Sequence, residues 1–147
     1  METIYHDSEI HRVLGSQVAA DTGTVETDAV ATGDCDGVAF IVSFGDMVSG
    51  ANVSMQITGR TTAGTGSWLN LPGAVVAFES DATDDVVGLV EIKRPNPWAE
   101  VRLEITRADQ NAEIDGVTAV VYKGQGRPVS QPAEVVARSF TLGGYPT

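Results

Sequence analysis

The stretch Glu100-Val-Arg-Leu-Glu-Ile-Thr106 alternates apolar Val101, Leu103 and Ile105 with polar Arg102, Glu104 and Thr106, the period of two that marks a strand with one buried face. Just before it, Val86-Val-Gly-Leu-Val-Glu-Ile92 runs into Lys93-Arg-Pro-Asn-Pro-Trp98. A proline-rich corner cannot continue a hydrogen-bonded ladder, so it turns the chain back. The expected unit is a pair of strands and a corner. An isolated hairpin is marginal in water, so the remaining segments have to cover its apolar face.

Upstream, Gly33-Asp-Cys-Asp-Gly37 makes a turn, and Val38-Ala-Phe-Ile-Val-Ser-Phe44 is a nearly continuous apolar run that suits a central strand covered on both sides. Gly45-Asp-Met-Val-Ser-Gly50 reverses the chain into Asn52-Val-Ser-Met-Gln-Ile-Thr58, where Val53, Met55 and Ile57 alternate with polar residues. This pair reads as a second hairpin. Arg60-Thr-Thr-Ala-Gly-Thr-Gly-Ser67 holds no core-forming residue and should project from the body. Trp68-Leu-Asn-Leu71 re-enters the core, Pro72-Gly73 reads as a turn, and Ala74-Val-Val-Ala-Phe78 as a further strand. Ser80-Asp-Ala-Thr-Asp-Asp85 is an acidic loop. Residues 108–115 read as a polar connection to the last core strand, Gly116-Val-Thr-Ala-Val-Val-Tyr122.

Nearer the start, Ser16-Gln-Val-Ala-Ala20 and residues 22–30, rich in Thr and Val, read as short strands. Residues 1–15 carry Ile4, Tyr5, Ile10, Val13 and Leu14 among charges without a clean period of two, the pattern of an extended arm or one short turn. No segment has helical periodicity. About eight strands with turns at roughly ten-residue spacing predict an all-β fold, a two-sheet antiparallel β-sandwich. The expected division is an N-terminal arm over 1–15, the sandwich over 16–129 and a C-terminal tail over 130–147. Val135, Val136, Phe140, Leu142 and Tyr145 in that tail allow a docked or swapped segment, or a mobile end.

Length and composition set the class. With 147 residues, 42% apolar and 20% charged, the chain reads as one globular domain able to bury a core without disulfides or metals. No apolar run approaches the ~20 residues of a bilayer-spanning helix, and residues 1–6 lack the order of a secretory signal. Both predict a chain made and kept in the cytoplasm, or carried out only within a larger object. The single Cys35 excludes an internal disulfide. A formal net charge of -11 repels nucleic acid, whose binding depends on Lys and Arg. Partners are then protein or glycan, unless the acidity only keeps the chain soluble.

The chemistry-bearing residues each have a plainer explanation. His6 and His11 share the arm with Asp7 and Glu9 but lack the rigid scaffold of a zinc site. Asp34 and Asp36, with Asp81, Asp84 and Asp85, could offer calcium carboxylates from neighbouring loops, yet the EF-hand spacing is missing and turns use Asp for geometric reasons. Cys35 beside a core strand reads as a small buried apolar residue more than as a nucleophile, because no base is close in sequence. Trp68 and Trp98 could each stack on a sugar ring, although each stands at a strand start where a core-capping tryptophan belongs. Asn52-Val-Ser54 matches a glycosylation acceptor, incidental in a chain without a signal. Neither a nucleophile elbow nor a phosphate-binding glycine loop is present, and the chain is expected to be no enzyme and to need no cofactor.

The order of these pieces resembles the head decoration, or cement, proteins of tailed bacteriophages. The resemblance is carried by Asp36-Gly-Val-Ala-Phe-Ile-Val-Ser-Phe-Gly45, the alternating Ala51-Asn-Val-Ser-Met-Gln-Ile-Thr58, and the glycine-rich approach Gly64-Thr-Gly-Ser-Trp68. It continues through Val87-Gly88, Lys93-Arg94, Val101-Arg-Leu-Glu-Ile105 and the ending Ala119-Val-Val-Tyr-Lys-Gly-Gln-Gly-Arg-Pro-Val129. It covers roughly residues 10–129. Two departures stand out: the corner Arg94-Pro-Asn-Pro-Trp98 replaces a short basic one, and a tail follows Val129.

The resemblance implies a non-enzymatic, jelly-roll-like sandwich, made in the cytoplasm of the bacterial host and placed on the outer surface of the virion capsid. Its implied partners are the major capsid protein and itself, as a homotrimer, with no nucleic acid and no membrane. The arm residues Ile4, Tyr5, Ile10, Val13 and Leu14 are then expected at the protein interface. The alternative is a carbohydrate-binding sandwich module using Trp68 or Trp98.

Overall fold

A computed structural model describes residues 4–33, 35–81, 84–95 and 97–123, together with residues 132, 133 and 135; the side chains of Tyr5 and His6 lie outside that description. Among these described residues, one helical turn at Ile4–Asp7 is followed by ten strands: β1 (Ser8–Leu14), β2 (Gln17–Ala20), β3 (Thr24–Glu26), β4 (Val30–Ala31), β5 (Gly37–Met47), β6 (Asn52–Arg60), β7 (Leu69–Glu79), β8 (Val87–Lys93), β9 (Glu100–Ala108) and β10 (Ala112–Tyr122). One sheet runs β1-β10-β5-β8, with β2 also on β10; the other runs β3-β9-β6-β7, with β4 also on β9. Because β1 and β2 share one edge of β10, and β3 and β4 one edge of β9, the ten segments are eight strands, two of them broken. The molecule is a two-sheet antiparallel β-sandwich.

Counted as eight, with β1–β2 one strand and β3–β4 another, successive strands cross from sheet to sheet everywhere except between β6 and β7, which is the double Greek-key order of a jelly roll. This corrects both expected hairpins. β8 pairs with β5 and β9 with β6, so the proline corner is an arch between sheets. The turn after β5 is another arch, since β6 lies opposite and pairs with β7 and β9. Both turns do reverse the chain, as their sequences predict. What alternation cannot reveal is whether the next strand pairs beside the last or packs across the core from it.

The core follows the alternation. Val101, Leu103 and Ile105 of β9 and Val53, Met55 and Ile57 of β6 meet Val38, Phe40, Val42 and Phe44 of β5 and Val117, Ala119 and Val121 of β10. Two glycines make close approach possible. A Cβ at Gly88 would lie 2.8 Å from Met55 Sδ of the opposite sheet, and one at Gly59 would lie 2.9 Å from Trp98 Cδ2. Buried Arg107 ties the sheets together, its Nη1 donating to the carbonyls of Val18 (2.8 Å) and Ala112 (2.9 Å).

Further segments depart from expectation. Ser8–Leu14, expected within an arm, is a strand on β10, with Val13 buried in the core. A bulge between Arg12 and Leu14 breaks the alternation, which is why periodicity did not reveal it. Pro72-Gly73 is not a turn but an irregularity within β7, where the register on β6 shifts past Gln56. There the Gln56 amide donates to the carbonyls of Leu71 (3.2 Å) and Ala74 (3.1 Å), and proline is tolerated because β7 is an edge strand. The outer side of β5, expected to be covered, is graded: Ala39 is buried, Ile41 half-buried and Ser43 exposed. The tail residues Val136, Phe140, Leu142 and Tyr145 lie outside the described residues.

Candidate functional site

The polar side of β6 and β9 forms the outer face of the second sheet, and there a charged cluster surrounds Trp68. The register sets Thr58 opposite Arg102 and Arg60 opposite Glu100. Glu100 Oε1 accepts from Arg60 Nε (2.9 Å) and Nη2 (2.8 Å) and from the backbone N–H of Gly64 (2.7 Å). Residues 61–67 are exposed, as expected of a projecting loop, but this carboxylate pins the loop to the sheet. The Gly64 N–H and the Arg60 guanidinium hold the Glu100 carboxyl below its usual range.

Where the loop returns, Trp68 folds over the same face. The Arg60 and Arg102 guanidinium carbons stand 4.5 and 4.3 Å from its ring centroid, within cation–π range. Arg102 also pairs with Glu26 (3.2 Å) and Glu104 (3.1 Å). Thr58, outward by alternation, is only 2% exposed. Trp68 is therefore half-buried outside the core, whereas Trp98 packs against it, as a capping tryptophan should. Sequence reasoning singled out Trp68 but missed Arg60, Glu100 and Arg102, whose signal was three charged residues at outward positions of adjacent strands. Beyond them the same face carries an open groove of about 330 Å³ lined by Asn52, Ser54, Ala77, Phe78, Glu79 and Thr106.

The expected interface residues do not share one surface. Ile4 is exposed, Ile10 is half-buried opposite Val120, Val13 is core, and Leu14 packs against the core; the Tyr5 side chain lies outside the described residues. His11 Nε2 lies 3.2 Å from Glu9 Oε2, which shares its carboxylate with Lys123 Nζ (2.7 Å). Cys35 is half-buried against the core, and burial raises its thiol pKa.

The fold gathers acids differently from the sequence reading. Glu113 and Asp115 of β10 approach Gly45, where an added Cβ would meet Glu113 Oε1 at 2.8 Å and Asp115 Oδ1 at 2.9 Å. Partial burial, then the charges of Asp115, Asp46 and Asp85, raise the Glu113 carboxyl above its ordinary range. Asp84 instead accepts the Met47 N–H (3.0 Å), and Asp34 lies outside the described residues. Among the described residues no three His, Cys, Asp or Glu side chains are grouped to hold a metal ion.

No family model matches the chain, and no curated protein matches it. Among solved structures, a chain of infectious bursal disease virus, Gx strain, superposes with a TM-score of 0.51 at 12% identity, over 82% of this chain and 33% of that one. A chain of the Gt strain gives 0.50 at 14% identity over the same shares. This chain thus spans about a third of the length of those viral chains. The likeness is one of fold. A family two carbohydrate esterase from Cellvibrio japonicus superposes more loosely, with a TM-score of 0.37 at 12% identity over 86% of this chain and 36% of that one.

Proposed function

We propose that the protein is a non-enzymatic structural protein that binds the outer surface of an assembled phage head and stabilises the expanded capsid lattice. The observation that carries this reading is the eight-strand jelly-roll order, in a fold that superposes on chains of infectious bursal disease virus. The resemblance of residues 10–129 to phage decoration proteins and the net charge of -11 support it, because an acidic protein is suited to the outside of a DNA-filled shell. The mechanism is linkage: a protein that binds the expanded lattice and not the immature one stabilises the former by mass action. Association into a homotrimer would multiply weak single contacts into avidity.

The test is co-sedimentation of the purified protein with immature and with expanded, decoration-free heads. Saturable binding to expanded heads, with a raised melting temperature of those heads, is the expected result. Binding to neither form would remove the capsid reading. A carbohydrate-binding reading then comes next, favoured by the position of Trp68 outside the core. Since two guanidiniums already lie on its ring, a sugar would have to share or displace them, and Trp68→Ala should abolish binding on a glycan panel.

A further inference from the structure

Ile4, Ile10, Val13 and Leu14, expected at the shell, do not share one surface, so the arm supplies no single contact face. A different stretch does. Thr61-Thr-Ala-Gly-Thr-Gly-Ser-Trp-Leu-Asn-Leu-Pro-Gly-Ala-Val-Val-Ala-Phe78 is the longest run without a charged side chain, in a chain that is 20% charged. It comprises the projecting loop and all of the edge strand β7 except Glu79. Every residue of it is exposed apart from Trp68, Leu71, Ala74 and Phe78. Three of the exposed residues are large and apolar: Leu69 at 55%, Val75 at 47% and Val76 at 41%.

The loop is held in shape before anything binds. Thr62 and Thr65 bridge its tip, with the Thr65 N–H donating to the Thr62 carbonyl (3.3 Å), and Glu100 fixes the Gly64 N–H. A loop already ordered loses little freedom on association. At its foot the Arg60 charge is engaged by Glu100 and by the Trp68 ring. Along β7, Pro72 and the register shift keep the edge from accepting another strand, so contact here is made by side chains and the loop tip. Past Phe78 the character reverses: Glu79, Asp81, Asp84 and Asp85 are all exposed.

We propose that the 61–67 loop and the exposed residues of β7 are the surface that meets the phage head, and that they fit an uncharged, partly apolar patch of the shell protein. This rests on the capsid reading above and names the face that makes its contact. Burying a charge costs free energy unless a partner replaces its water, and charged residues are depleted at the centres of protein interfaces. On a chain of net charge -11, this strip is where contact takes no charge out of water. A basic surface would instead be drawn to the acidic loop of Asp81, Asp84 and Asp85. A glycan needs a free aromatic face, and the Trp68 ring already carries two guanidiniums.

The test uses the full chain and expanded, decoration-free heads. Thr62→Glu at the loop tip and Val75→Glu on β7 each place one charge on the strip at an exposed position, and unchanged melting temperatures would show both folds intact. Each should weaken head binding by about tenfold or more. Val18→Glu adds the same charge on β2, 86% exposed and in the other sheet, and should bind as the wild type does. If Thr62→Glu and Val75→Glu bind like the wild type, or if Val18→Glu loses binding as they do, the strip is not the contact and the capsid reading stands without it. If the wild type binds neither head form, the capsid reading falls and the assignment of this face falls with it.

Discussion

At the scale of single residues, the sandwich depends on positions where one sheet reaches into the other. Gly88 leaves room for Met55 and Phe44, so Gly88→Ala overpacks the core and should cost about 1–3 kcal/mol in denaturant unfolding. Glu113 behaves differently. Its carboxyl is raised in the fold, so the folded protein holds this proton more tightly than the unfolded chain does. The stabilisation from that proton is full below the unfolded value and is lost as pH rises through the folded one. Glu113→Gln removes the repelling charge, so its melting temperature should exceed that of the wild type at neutral pH, with the gap closing in acid. A melting temperature unchanged at every pH would show that Asp46, Asp85 and Asp115 do not press on Glu113.

At the scale of elements, β1 and the 61–67 loop give the sharpest expectations. Glu100 gains its low pKa from the Gly64 N–H and Arg60, so its contribution is present above the unfolded carboxylate range and is lost as pH falls through the folded value. Glu100→Gln should lower the hydrogen-exchange protection of the Gly64 N–H at neutral pH, and the wild type should lose the same protection, relative to the intrinsic rate, in acid. Deleting residues 1–14 removes an edge strand and buried Val13, so the protein should melt earlier or fail to fold. Such a deletion cannot test shell contact; Ile4→Asp, altering an exposed residue, can. Strand existence was legible at β5, β6, β9 and β10, where alternation or an apolar run is strong. It was not legible at β1, where the bulge brings Val13 and Leu14 both toward the core, nor across Pro72, where a turn signal served as an edge-strand irregularity.

For the whole molecule, charge and topology act at different ranges. A net charge of -11 makes the compact state repel itself, and salt screens that repulsion over a Debye length of about 10 Å at 0.1 M. Raising sodium chloride from low to moderate concentration should therefore raise the melting temperature, as scanning calorimetry would measure. A melting temperature that fell with salt would mean that the ion pairs of Arg60, Arg102 and Lys123 outweigh the general repulsion.

The amino-acid sequence by itself determined the all-β class, the inward residues of the central strands, the exposure of the 61–67 loop and the acidity of the surface. Each of these follows from local alternation, turn chemistry or composition. Only the tertiary structure decided which strands are partners, and hence that two expected hairpins are arches and that Trp68 leaves the core to lie on Arg60 and Arg102. The physical reason is that pairing is set by contacts between residues far apart in the chain. A strand's own side chains specify which face is buried, and its neighbours are specified by the strands that remain to cover it.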